Sequence, residues 1–255
     1  MAKTKIEWAD RVWNPVTGCT KVSQGCKNCY AERIASRFWG GRGFTDVHLH
    51  FDRLNDPSRW KKPSMVFVNS MSDLFHESLI NRPEWSDFIT QVWLTMLRNV
   101  DRHTFMILTK RPQIMEKEIK YLIGAGMIIL PNVWLGTSVE DQKTLDLRLP
   151  FLLNTPGAKR FISYEPALEP INILSVFGGD LYAMHEGIDW VICGCESGTG
   201  ARPMHLDWVR RVRDQCQRAL IPFFFKQAVI DGKLVKMPEL DGKVWNEFPR
   251  SENHD

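Results

Sequence analysis

The sequence predicts an α/β fold, a partial TIM-like (β/α)6-7 barrel made by a single domain over residues 1–255. Three observations predict it. Short runs of apolar, β-branched and aromatic residues recur along the chain with room for a helix between neighbours. The stretches between them carry apolar residues at helical spacing, and each run passes directly into polar residues. Buried parallel strands read as continuous apolar runs, and strands alternating with helices define a βα repeat. The doubly wound alternative stays open on pattern alone, although no Gly-rich dinucleotide fingerprint supports it.

Taken in order, a first strand falls near residues 12–16, then a loop containing Gly and Cys, then a helix after Cys29. Further strands are expected at 65–68, 104–108, 133–135, 160–163, 190–192 and 222–225. The helix over 85–99 places Phe88, Ile89, Val92, Met96 and Leu97 on one face, and that over 206–220 does the same with Trp208, Val209 and Val212. The polar residues after the runs fall on one side of such a fold, where the loops at strand carboxyl ends form an active-site rim. The blander account is that strand ends turn polar where they meet water and where Ser, Asp or Thr caps the next helix. His48 and His50 alternate with Leu49 and Phe51 and are read as structural. Residues 228–255 read as a polar C-terminal extension, poor in strands, with a frayed tail at 251–255.

The 255 residues, 44% hydrophobic and 25% charged, suffice for a sizeable core. A net charge of +3 is a weak basic bias that permits a polynucleotide substrate without indicating one. Ten tryptophans are scattered along the chain and serve mostly packing. A module that binds single strands needs basic and aromatic residues on one face, and in the sequence they look dispersed. No run approaches the roughly 18 apolar residues of a membrane span, and the first residues lack a secretory signal, so a cytoplasmic location is expected. Six cysteines, three of them between residues 19 and 29, point to metal or redox chemistry in a reducing compartment rather than to disulfides.

Cys19, Cys26 and Cys29 are spaced C-x6-C-x2-C in the loop after the first strand. Three thiolates from one short loop can wrap a [4Fe–4S] cluster and leave one iron open for chemistry. Two other readings stay open: a structural zinc site that takes a fourth ligand from elsewhere, and a thiol redox pair at Cys26 and Cys29. A zinc-stabilised nucleic-acid-binding or interaction protein without catalysis is therefore the alternative to an enzyme.

The run Asn14-Pro15-Val16-Thr17-Gly18-Cys19, the Gly25-Cys26-x-x-Cys29-Tyr30-Ala31-Glu32 after it, the later Ser163-Tyr164-Glu165-Pro166, and Glu196-Ser197-Gly198-x-Gly200-Ala201-Arg202-Pro203 together resemble the phage Gp37/Gp68 family (three-Cys-motif, DUF5131-like), over roughly residues 4–230. The resemblance implies a radical-SAM-like barrel. Such an enzyme uses a [4Fe–4S] cluster to cleave S-adenosylmethionine reductively and modify a polar substrate, here a small molecule, a nucleotide or a base of phage DNA. It also implies an electron donor such as flavodoxin or ferredoxin, and a three-Cys-motif partner protein. Most radical SAM proteins have three residues between the first two cysteines, whereas six separate Cys19 from Cys26. On this reading Cys19, Cys26 and Cys29 hold the cluster. Tyr30, Asn69, Ser70, Asp73, Ser138 and Glu140 bind S-adenosylmethionine, with the last two on its ribose. Lys110, Arg111, Glu196, Ser197 and Arg202 bind substrate, and Tyr164, Glu165 and Lys226 are the catalytic candidates. Cys195 occupies a position that looks like glycine in similar sequences and is read as incidental.

Overall fold

The structure is a computed structural model that describes residues 4 and 6–249; the tail at 251–255 lies outside the described residues. In chain order the elements are β1 (Arg11–Trp13), β2 (Val16–Thr17), α1 (Tyr30–Phe38), β3 (His48–Leu49), β4 (Ser64–Val68), α2 (Trp85–Arg98), β5 (His103–Thr109), α3 (Pro112–Gly124), β6 (Val133–Val139) and α4 (Gln142–Asn154). They continue with β7 (Lys159–Tyr164), α5 (Leu181–Gly187), β8 (Trp190–Gly194), α6 (Leu206–Arg218), β9 (Phe223–Ile230), β10 (Lys233–Lys236), β11 (Glu239–Leu240) and β12 (Lys243–Val244). Each of the six helices follows one strand of the main sheet and precedes the next, so the chain is a run of βα units.

The main sheet has the order β1-β4-β5-β6-β7-β8-β9-β10 and curls into a half-barrel. All its neighbours pair parallel except β10, which folds back antiparallel on β9 and occupies the edge opposite β1. β2 and β3 form a separate antiparallel pair that brackets α1. The C-terminal stretch, expected to be poor in strands, holds the end of β9 together with β10 and the small β11–β12 sheet. Its two turns, at Asp231-Gly232 and Asp241-Gly242, use positive φ at both residues, the Asp-Gly signature of two-residue hairpins.

Successive side chains on a strand point to opposite faces, and the core divides accordingly. Val66, Phe105, Ile107, Val133, Leu135, Ile162, Val191, Phe223 and Phe225 face the helices in the larger core. Phe67, Met106, Trp134, Phe161, Trp190, Ile192 and Phe224, with Trp8 from the N-terminal segment, fill the concave side. Trp190 sits at the centre of this inner layer, edge-on to Trp8 at 6.4 Å, Trp134 at 6.1 Å and Phe224 at 5.8 Å. Each such pair contributes about 0.5–1.5 kcal/mol beyond the burial of the rings. The aromatic layer fills the barrel interior toward the amino ends of the strands, and among the described residues the cavity of the barrel lies above it, toward their carboxyl ends.

Candidate functional site

The alternation that builds the aromatic floor continues upward. Two residues beyond Phe161 on β7 is Ser163, and two beyond that Glu165; two beyond Phe224 on β9 is Lys226; four beyond Trp134 on β6 is Ser138. Ser138, Ser163, Glu165 and Lys226 line one cavity of about 430 Å³, floored by Trp8, Phe67 and Leu108. Gly25, Asn28, Cys29 and Tyr30 line it from the cysteine loop, and Cys195, Glu196 and Ser197 line it from beyond β8. Inside, the Lys226 ammonium lies 2.9 Å from Glu165, whose other oxygen accepts from the Ser163 hydroxyl at 3.2 Å. The Gln227 amide donates to the Cys195 carbonyl at 2.8 Å. Burial, and then the negative charge of Glu165, push the Cys195 thiol up to about 11, so it stays protonated at neutral pH.

The cysteine loop crosses the open end of the half-barrel and is held there by three ionic nodes. At the first, Arg111, only 2% exposed, donates to the Thr20 carbonyl at 3.2 Å and the Thr20 hydroxyl at 2.9 Å, with Nη1 3.6 Å from the Cys19 sulfur. Arg111 is itself fixed by Asp73 at 3.1 Å and by Glu77. Asp73 also accepts from the Thr109 hydroxyl and the Lys110 backbone, so its carboxylate is fully used in joining the β4 and β5 loops.

The second node is Glu140, fully buried between β6 and the capping box that starts α4. One of its oxygens accepts from the Ser23 hydroxyl and the Lys110 ammonium, both at 2.6 Å, and the other accepts from Arg148 at 3.0 Å. Burial alone raises its carboxyl pKa, but Lys110 and Arg148 outweigh it and hold the group at about 2. Gly25 lies against this carboxylate so closely that a Cβ there would fall 2.3 Å from the Glu140 Cγ. The third node is Glu196, paired with Arg202 at 2.5 Å and accepting from the Asn28 amide at 2.8 Å; Arg202 also donates to the Gln24 carbonyl at 2.9 Å. Here too burial raises the carboxyl pKa, and Arg202 with Asn28 bring it down to about 2.

The structure brings Tyr30, Ser138, Glu165, Lys226, Glu196, Ser197 and Cys29 together around the cavity. Asp73, Lys110, Arg111, Glu140 and Arg202 stand behind it, in the nodes that hold the loop. Asn69, with φ of +61°, accepts from the Val16 amide, and the Ser70 carbonyl accepts from the Tyr30 hydroxyl at 2.7 Å. Tyr164 sits on the opposite face of β7, fully buried among the helices, with its hydroxyl donating to the Glu169 carbonyl. The period of two carried that information, because Ser163 and Glu165 cannot both point inward unless Tyr164 points out. Ser163, Asn28, Cys195 and Gln227 line the cavity as well, and none of them was among the expected site residues.

Cys19, Cys26 and Cys29 are all half-buried and unpaired. Burial chiefly, with Asp73 adding to it, pushes the Cys19 thiol up to about 12 against the opposing effect of Arg111. A coordinated metal removes such a proton outright. Among the described residues, no group of three or more His, Cys, Asp or Glu side chains is gathered as a single metal ion requires. A single tetrahedral zinc, with Zn–S of about 2.3 Å, draws its thiolates to within about 4 Å of one another. A cluster presents separate irons to separate thiolates, so its ligands stand further apart. In donor type the three thiols suit a cluster, and one of them, Cys29, lines the cavity. Gly18 fixes the approach to the first of them, at φ +95° and with its Cα so near β3's preceding turn that a Cβ would lie 2.3 Å from the Asp46 carbonyl oxygen. Gly18→Ala is expected to cost about 1–3 kcal/mol, read as a fall of several degrees in melting temperature, with weaker metal retention in the same preparation.

A curled α/β half-barrel with an apolar-floored cavity carrying a few polar groups at its strand carboxyl ends, bordered by a clamped loop that holds three thiols, defines the class of this protein. Residues 3–249 match the family model described as "Protein of unknown function (DUF5131)", and the chain belongs to that family. No curated protein and no solved structure matches it. No helix among the described residues is long and apolar enough to cross a membrane.

Proposed function

We propose that this chain is a radical-SAM-type enzyme of the kind found in the phage Gp37/Gp68 family, acting in the cytoplasm on a polar substrate. The observation that supports the reading is the cysteine loop, clamped by Arg111, Glu140 and Glu196 so that its Gly25, Asn28, Cys29 and Tyr30 line the cavity, with two further thiols in the same short segment. Three thiolates that leave one iron open are the ligand set such chemistry needs. When bound, the cluster supplies the electron that splits S-adenosylmethionine and so makes a species able to take hydrogen from a substrate.

The chain's own residues do the rest. The nodes hold the loop in register with β5, β6 and β8, so that Cys29 and Tyr30 face the same space as Ser138 and Ser163. Of the residues expected to bind S-adenosylmethionine, Tyr30 and Ser138 line the cavity, and on this reading they contact it. Asp73 and Glu140 act one step back, because their carboxylates are occupied in holding the loop. The Glu165–Lys226 pair offers the substrate an acceptor and a donor side by side, above an apolar floor. Replacing Lys226 by Met is expected to lower product formation roughly tenfold or more, leaving iron content and substrate-free cleavage of S-adenosylmethionine unchanged. That split assigns Lys226 to substrate rather than to the cluster.

Anaerobic reconstitution with iron and sulfide, followed by an iron count, EPR with and without S-adenosylmethionine, and an assay for 5′-deoxyadenosine tests the reading. Roughly four irons per chain, a spectrum perturbed by S-adenosylmethionine and deoxyadenosine formation are expected. Stoichiometric zinc with no iron uptake and no cleavage would leave the second reading, a metal-pinned nucleic-acid-binding or interaction protein. The clamped loop also suits that second reading, because it joins three strand ends whatever it binds.

A further inference from the structure

We infer that the outer face of α1 is the docking site of a small acidic one-electron carrier protein; the identity of this partner rests on the enzyme reading above. Positive charge is concentrated in α1 and the segments that flank it, with Arg33 and Arg37 on the helix itself. Residues 19–42 hold five Lys and Arg against the single acidic Glu32, a net charge of +4 in a chain whose total is +3, so everything outside this segment sums to −1. Glu32 is spent on Lys21 at 2.9 Å. Lys27, Arg33, Arg37 and Arg42 are paired with no carboxylate among the described residues. Arg37 instead lies over the Phe38 ring and Arg42 over Trp39, with the guanidinium carbons 5.2 and 4.1 Å from the ring centres.

The same helix carries a solvent-exposed apolar row. Ala31 and Ala35 are the residues of α1 that are buried against the barrel. Tyr30, Ile34 and Phe38, four residues apart, stand in one row on its surface, and Phe38 is 69% exposed. An amphipathic helix that turns its apolar row outward beside a row of arginines is built to meet a surface of opposite charge with an apolar centre. The row begins at Tyr30, directly after Cys29 and at the cavity mouth, so a partner seated on it abuts the cysteine loop.

The enzyme reading requires an electron from outside the chain. On docking, the reduced carrier is oxidised by one electron and the iron centre held at the loop is reduced by it; no atom is transferred. Redox encounters of this kind use small interfaces, below about 1,200 Å² in total, and rely on charge for their rate. Three exposed side chains in a row with flanking arginines are on that scale. A polynucleotide also answers to positive charge, but Ile34 at the centre of the row has no face on which a base can stack.

The test uses the full-length protein and its Arg37→Glu/Phe38→Asp variant, neither residue being part of the cavity. Binding of a purified acidic FMN-containing flavodoxin is measured by titration calorimetry at two salt concentrations. Deoxyadenosine formation is then compared with reduced flavodoxin and with dithionite as electron source. The proposal predicts salt-sensitive binding that weakens roughly tenfold in the variant, and loss of flavodoxin-driven but not dithionite-driven cleavage, with melting temperature and iron content kept. Equal flavodoxin binding by both proteins overturns it. So does a variant that loses affinity for a single-stranded oligonucleotide but not for flavodoxin, or a dimer of the unsubstituted protein that the variant converts to monomer. If dithionite drives no cleavage in the unsubstituted protein, the enzyme reading fails, and the carrier identity with it.

Discussion

Replacing Cys26 by alanine is expected to cut the iron held after anaerobic reconstitution from roughly four atoms per chain to background, and to abolish deoxyadenosine formation with it. The side chain is half-buried and its sulfur has one weak polar neighbour, the Ser23 hydroxyl at 3.9 Å. Its removal therefore costs the fold little, and the melting temperature of the metal-free protein should barely change. Cys19→Ala and Cys29→Ala are expected to match it, because a cluster with two protein ligands is lost as surely from one end of the loop as from the other. Cys216 supplies the control. It is fully buried on the inner face of α6, where burial pushes its thiol well above the usual range, and it makes no approach to the loop. Cys216→Ala should keep all its iron and pay only in stability, by the cost of a small core cavity. Iron retained in all three loop variants would exclude the loop as the cluster's holder. Loss of one zinc rather than four irons would favour the metal-pinned reading.

The barrel was legible because a parallel strand buried on both faces cannot avoid being apolar along its length. Each run expected between residues 65 and 225 lies within β4 to β9 or overlaps it, and the helix expected after Cys29 is α1. The rim was legible for the same reason in reverse, since polar residues directly after such runs must fall at the carboxyl ends. The tasks of the rim residues were not legible. Glu140 reads as a carboxylate free to hold a ribose until Lys110, Arg148 and Ser23, which lie 30, 8 and 117 residues away, are seen to use up its oxygens. Arg111 reads in the same way as a substrate cation, yet three partners, Asp73, Glu77 and Thr20, enclose it. Long-range ion pairs leave no periodicity in a sequence. The charge of residues 19–42 did leave a trace, but taking basic and aromatic residues over the whole chain averaged it away.

Glu140→Ala is expected to be the most damaging single change to stability, costing about 3–5 kcal/mol. The group is fully buried, and its removal strands two cations, Lys110 and Arg148, whose side chains are themselves largely buried. A stranded buried charge costs more than the lost attraction, because it keeps its desolvation penalty without a partner. The pKa gives an independent scale: a carboxyl held at about 2 against an ordinary 4.5 corresponds to about 3 kcal/mol in favour of the charged form. The sign fixes the pH dependence. Because the folded-state pKa lies below the unfolded one, the contribution is fully present above about pH 4.5 and fades as the pH falls toward 2. Melting curves of the two proteins should thus stand far apart at pH 7 and draw together between pH 4.5 and 2. A gap independent of pH would mean that Glu140 acts by filling space rather than by charge. The triple variant Glu140→Met, Lys110→Met, Arg148→Met removes the stranded cations along with the anion and should recover much of the loss. It should recover no cluster binding, because the Ser23 hydroxyl then has no carboxylate to hold the loop between Cys19 and Cys26 in place. Stability restored without iron retention would separate what Glu140 does for the fold from what it does for the site.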